Sequence, residues 1–228
     1  RMNDVQTKAQ AEITRTQLYT ALAVEARLLA ERDGKKEILF PPELQSQQND
    51  SRVANNILIQ NQLFTSRKLA LQHEIAALDE GISGLKVQLR GLEASKTSKN
   101  QQSKFLEEQL VNMRELSKEG FVPRNRVLDL ERTFIQLNGE ISTDIGNIGR
   151  TQRQIAELEQ RRIQRQQEYQ KDVRQQLSDI KREAEALNSR LNGQDFELAN
   201  IEVKAPVDGT VVGLNVFTKS GVVGPGFK

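Results

Sequence analysis

The residue types that carry chemistry are few, and their spacing does not assemble a reaction centre. His73 is the single histidine and cysteine is absent, so thiolate metal sites, disulfides and Cys nucleophiles are excluded. One imidazole beside Leu71 on a helical stretch reads as a structural side chain rather than a metal ligand. Glu107-Glu108 is an acid pair among Lys and Gln; general acid–base work would need a pocket to tune one of the two. Arg161-Arg162-Ile163-Gln164-Arg165 is basic, but Glu157, Glu159 and Glu168 flank it at helical spacing. A nucleic-acid surface would want a wider stripe and aromatic partners, so helix pairing or a solvated face is the reading. The C-terminal glycines follow strand-like sequence with no helix start after them, which excludes a phosphate loop. The chain is therefore expected to have no catalytic residue, no metal and no cofactor.

What must be positioned is instead a set of long helices. Of 228 residues, 36% are hydrophobic, 28% charged and 4% aromatic, with net charge +2. That is too little apolar volume for a thick core and enough for a narrow seam between helices. No apolar run approaches the ~20 residues of a membrane span. The chain opens on Arg1 inside a helical pattern, and we read it as a piece of a longer protein.

A first helix is expected over residues 2–33, with apolar residues three to four apart from Val5 to Leu29, ended by Asp33-Gly34. Tandem prolines in Phe40-Pro41-Pro42 prevent residues 34–49 from forming one helix. Asn49, Asp50 or Ser51 can cap a second helix over 51–118. Its middle is a heptad: Leu71, Leu78, Leu85 and Leu92 repeat every seven, with Ile75, Ile82 and Leu89 interleaved. Such a seam buries only against another helix. From Ser95 to Ser103 the seam turns polar, marking a flexible point or a further contact. Gly120-Phe121-Val122-Pro123 ends the helix, with the turn at 119–123, and a third helix follows over 124–198. In that helix Val127, Phe134, Ile141, Ile148 and Ile155 repeat every seven; the apolar phase then slips by one and resumes at Ile163.

Two long heptad helices joined by about five residues must fold back on each other. Pairing about the turn sets Leu85 near Leu158, Leu78 near Ile163, Leu71 near Lys171 and Gly91 near Gly149. An arm of about 70 residues spans on the order of 100 Å. Helix two already matches helix three in length, so the first helix is surplus. It is placed beside the base of the hairpin, making three helices there, and the linker returns the chain to the base. Glycines at 81, 84, 91, 139, 146 and 149 each cost roughly 1 kcal/mol in a helix. They mark either local bending or close approach of backbones.

After Asn200 the pattern changes to alternating valines and turns: Ile201-Glu202-Val203-Lys204-Ala205-Pro206-Val207-Asp208-Gly209-Thr210-Val211-Val212-Gly213-Leu214, then Gly221 and Pro225-Gly226. A helical hairpin running into this segment resembles the periplasmic adaptor proteins, or membrane fusion proteins. Leu116–Arg132, reading LSKEGFVPRNRVLDLER, and the three-helix layout resemble their type I secretion, HlyD-like branch, which exports proteases and lipases. The resemblance implies a mainly α fold over 1–200: a long antiparallel coiled-coil hairpin with an extra helix at its base. Residues 201–228 would be half of a lipoyl-like (biotinyl-type) β domain, marked by Ala205, Pro206, Asp208, Gly209, Val211, Gly221, Pro225 and Gly226. It implies a periplasmic tether anchored in the inner membrane by a segment outside this chain. Such a tether joins an ABC transporter to a TolC-type outer-membrane channel. It is a homo-oligomer, hexameric in the assembled system, around an exported protein, with no nucleic acid. The competing reading is a cytoplasmic coiled-coil scaffold or nucleic-acid-handling arm.

Within the resemblance the hairpin tip is the channel contact, which points to Leu116, Gly120, Phe121, Val122, Pro123 and Arg124. The Arg, Leu and Ser of the drug-efflux adaptors fall on Asn112, Leu116 and Pro123, so only the leucine matches that scheme. Leu116, Phe121 and Val122 form an apolar group at an extremity, which fits a partner surface. The other possibility is that Phe121 folds back over the seam.

Overall fold

The computed structural model describes residues 4–200 and Gly209-Thr210. The lipoyl-like motif therefore lies outside the described residues, apart from Gly209. Four helices follow in order: α1 Asp4–Arg32, α2 Pro42–Ser46, α3 Ser51–Lys118 and α4 Arg124–Ala199. They contribute to two compact units, one of residues 1–67 with 170–228 and one of residues 68–169.

In the first unit α1 packs on both long helices. Ala11, Leu18 and Ala21 meet Ala184 and Leu191 of α4. Ala26 and Ala30 meet Ile38 and Phe64, and Ala23 meets Leu44 of α2 and Val53 of α3. Alanines on α1 let its neighbours approach closely on several sides, so its buried face is broad. Hydrogen bonds from Asn56 to Thr20 and from Arg27 to Gln60 advance together along both chains, so α1 runs parallel to α3. Arg15–Asp195 and Lys181–Glu25 run in opposite sense, so α1 is antiparallel to α4. A three-helix segment with a returning linker is the arrangement that the length arithmetic favoured.

Helix ends follow local chemistry. Gly34, at φ +63°, closes α1: Lys35 N–H donates to Ala30 O at 2.9 Å and Gly34 N–H to Glu31 O at 3.3 Å. This paired pattern satisfies carbonyls that a helix end would orphan. Pro41 and Pro42 start the one-turn α2, where a missing N–H is harmless. Asp50 caps α3, its Oδ1 accepting from Arg52 N–H at 2.8 Å.

A buried ionic cluster closes the end of α1. Glu31 is fully buried, with Oε1 2.5 Å from Arg27 Nη1 and Oε2 3.2 Å from Arg67 Nε. Arg67 Nη2 also reaches Asp172 Oδ2 of α4 at 2.9 Å, and its hydrogen bond holds that carboxyl below the usual aspartate range. Three helices are tied at one level.

In the second unit α3 and α4 pair antiparallel. Lys86–Glu159, Lys99–Asp144 and Arg114–Glu131 fix the register, at 3.1, 3.0 and 2.6 Å. A Cβ at Gly81 would lie 3.3 Å from Leu158 Cδ1, so Leu158 sits in the expected stretch. Ile163 does not occupy the seam. It is 41% exposed, and the seam continues in phase from Ile155 through half-buried Arg162 and Arg165. These arginines cross to Asp79 and Glu74, and their aliphatic stems cover the seam while their heads stay paired. The change of phase comes later. Burial steps by four three times in succession, from Arg165 through Tyr169 and Val173 to Leu177, a local unwinding of the heptad.

Candidate functional site

The turn between α3 and α4 is built by the same device as the end of α1. Gly120 has φ +83°, a left-handed conformation that glycine adopts without penalty. Phe121 N–H donates to Leu116 O at 2.9 Å and Gly120 N–H to Ser117 O at 3.3 Å. On the far side Pro123 O accepts from Arg126 N–H at 3.1 Å, opening α4. Arg114–Glu131 clamps the two helices just below, and Leu110 on α3 and Val127 on α4 are the buried residues nearest the turn.

The turn's backbone needs are thus met without its side chains, and Phe121 is 75% exposed. It does not fold back over the seam. Leu116 is 40% exposed, Val122 is half-buried, and Gly120, Pro123 and Arg124 are exposed. The six residues singled out in sequence come together around one turn. Leu128, 49% exposed on the first turn of α4, adds to the apolar surface and was missed. Its signal was its place one residue after the seam position Val127, where a charged or polar residue would be expected. Lys118, Glu119, Arg124 and Arg126 are exposed around this apolar group.

Nothing near the tip arranges a reaction. Among the described residues no group of three His, Asp or Glu side chains could hold a metal, and His73 is exposed on α3. Depressed carboxyls elsewhere have ionic causes: Lys99 hydrogen-bonds Asp144, and Arg165 hydrogen-bonds Glu74. These are helix-pairing contacts, the first in the seam and the second at the surface of the hairpin. The arrangement is a two-helix end with exposed apolar side chains at its turn.

Comparison with known proteins gives this geometry a family. A family model described as AprE, long α-helical hairpin, matches residues 7–196. The chain belongs to this family. Among the AprE-type hairpin proteins, the alkaline protease secretion protein AprE of Pseudomonas aeruginosa is 37% identical over 99% of this chain and 52% of its own length. The proteases secretion protein PrtE of Dickeya chrysanthemi is 37% identical over 99% of this chain and 50% of its own. The chain thus spans about half the length of the curated relatives it matches. A crystal structure of the soluble domain of LipC, a membrane fusion protein of a type I secretion system, superposes with TM-score 0.85 at 41% identity. That match covers 92% of this chain and 98% of the LipC chain. All three proteins are named for secretion, none for catalysis. The scaffold or nucleic-acid-arm reading gains no support from them. No described helix is long and apolar enough to cross a membrane.

Proposed function

We propose that this chain is the hairpin portion of a periplasmic adaptor of a type I protein secretion system. Its apolar tip docks on a TolC-type outer-membrane channel. The remainder of the protein, inner-membrane anchor included, meets an ABC transporter, and six copies enclose the path of an exported protein. Residues 201–228, with Ala205-Pro206 and Asp208-Gly209, supply part of a lipoyl-like domain. The observation that carries the reading is the correspondence with the LipC soluble domain along nearly its whole length. The exposed Phe121, on a turn that does not need it for folding, supports the tip's role.

The test uses the full-length adaptor in a secreting strain. Phe121→Ser with Val122→Ser should abolish export of the cargo and leave helicity and thermal midpoint nearly unchanged. A photo-crosslinking residue at position 121 should capture the outer-membrane channel. Normal export by the double variant, or loss of export explained by unfolding, removes the tip assignment. Full export by a strain lacking the gene altogether removes the adaptor reading itself.

A further inference from the structure

Five glycines in the second unit face open space. An added Cβ at Gly84 or Gly91 of α3, or at Gly139, Gly146 or Gly149 of α4, would meet no atom within 4 Å. Gly81, against Leu158, is the one helix glycine of this unit with a close neighbour. Close packing within the hairpin therefore accounts for none of the five. Each still weakens its helix about fivefold relative to alanine in the local folding equilibrium.

A second observation falls at the level of four of the five, Gly91, Gly139, Gly146 and Gly149, while Gly84 lies in the apolar stretch beside Lys86–Glu159. The seam is polar there from Ser95 to Ser103 of α3, and on α4 polar Asn138, Asp144 and Thr151 alternate with Ile141 and Ile148. Ser95 Oγ hydrogen-bonds Asp144 Oδ2 at 3.0 Å, and Ser103 Oγ and Asn138 Oδ1 are 3.1 Å apart. Lys99 Nζ lies 3.0 Å from Asp144 Oδ2 and 3.5 Å from Glu140 Oε2. Thr151, the seam position after Ile148, is buried. These pairs set Gly91 across from Gly149 and Gly139 beside Ser103, so weak helix and weak seam coincide on both strands. Polar contacts of this kind exchange for water with a small net change, whereas each apolar layer above and below must give up buried area to open.

We propose that residues 91–103 of α3 and 138–151 of α4 form a flexible joint inside the hairpin. The helices remain continuous through it, but they open transiently there. The distal segment, residues 104–137, bends against the proximal part of the same unit at this level. Leu106, Leu110 and Met113 facing Val127, Leu130 and Phe134 keep the distal segment a rigid body, so bending is confined to the joint. The inference concerns the hairpin itself and does not rest on what the tip binds.

The experiment is native-state amide exchange on the 228-residue chain, at a concentration where ultracentrifugation shows monomer. Peptides covering 91–103 and 138–151 should exchange at least tenfold faster than those covering 106–117 and 155–168. The triple variant Gly91→Ala, Gly146→Ala, Gly149→Ala fits without displacing a neighbour. It should slow exchange in the joint by about fivefold per glycine and leave the flanks unchanged. Ser103→Leu with Asn138→Leu should slow it independently by closing the seam. Uniform protection along the wild-type hairpin overturns the proposal. So does a triple variant that leaves protection unaltered while abolishing self-association at high concentration, since the glycines would then serve approach of a second copy.

Discussion

Replacing Glu31 with alanine should destabilise the three-helix segment far more than deleting any surface charge. The Glu31 side chain is 0% exposed and that of Arg27 8%. Arg27 donates one hydrogen bond to Gln60 at 2.7 Å and a second to Glu31. Without the carboxylate Arg27 keeps one neutral partner and a full charge in the interior. Arg67, 31% exposed, retains Asp172 and water, so it adds little. The loss is dominated by Arg27, and breaking a buried pair in this way costs about 3–5 kcal/mol. Asp179→Ala removes a pair whose partners, Arg182 and Asp179, are 75% and 59% exposed; its effect should stay within about 0–1 kcal/mol.

Two further variants separate charge from packing. Glu31→Gln keeps the shape and one acceptor and should fall between the two single deletions. Arg27→Met with Glu31→Leu removes both charges and should recover most of the loss, because no charge is left unpaired. Urea unfolding followed by circular dichroism at 222 nm measures all four, with slopes compared to check that the same surface unfolds. Equal midpoints for Glu31→Ala and Asp179→Ala would refute the reasoning. So would a double replacement worse than Glu31→Ala alone, since shape rather than charge balance would then govern the site.

Gly120→Ala should lower stability by roughly 1–2 kcal/mol, because φ +83° forces a side chain into the left-handed region; Gly120→Asn should cost less, and a thermal melt of the pair checks the order. The pH dependence follows from the ion pairs. Asp144, Asp172, Glu74 and Asp50 are held below their ordinary values by hydrogen bonds from Lys99, Arg67, Arg165 and Arg52. Their folded pKa values lie below the unfolded ones, so their stabilisation is present above the unfolded values and is lost as pH falls through the folded ones. Lys99 is raised by Asp144, so its share is present below the ordinary lysine value and lost above it. The thermal midpoint should be flat from about pH 5 to about pH 9 and fall below about pH 4; a steady decline between pH 7 and 5 would contradict this.

The seam of α3 was legible because Leu71 to Leu92 obey one period without interruption, and a buried apolar stripe has few other uses. Gly34 and Gly120 were legible because each sits where a periodic run stops. The place of α1 followed from length, since α3 and α4 already match. Arg162 and Arg165 were not legible as seam residues. Apolar periodicity treats arginine as surface, although its stem is hydrocarbon and its head can reach across to Asp79 or Glu74. Ile163 looked like the seam residue only because its neighbours are charged. Glu31 was invisible for a related reason: a glutamate in the last turn of a helix is ordinary, and its burial depends on Arg27 and Arg67 converging from two helices. Phe121 could be placed at the turn, but its direction depended on whether the backbone hydrogen bonds closed without it.

The two units reach stability by different routes, and this constrains how each can be used. In the first, α1 packs on α4 from Ala11 to Ala21 and on α2, α3 and the linker from Ala23 to Ala30, and Glu31 ties the last level to α3 and α4. Opening any part of it exposes alanine and leucine layers together with a buried charge, so it should open as one block. The second unit has a single seam. Its cross-helix ion pairs, Lys86–Glu159, Arg162–Asp79 and Arg114–Glu131, are largely exposed, and such pairs add little each. Its stability must come layer by layer from the seam, so a weak layer is felt locally rather than averaged over the unit. A weak layer in the second unit can therefore open while the apolar layers above and below it stay closed. A hairpin built only for rigidity would carry leucine at 99 and alanine at 91 and 149 in place of the lysine and the two glycines.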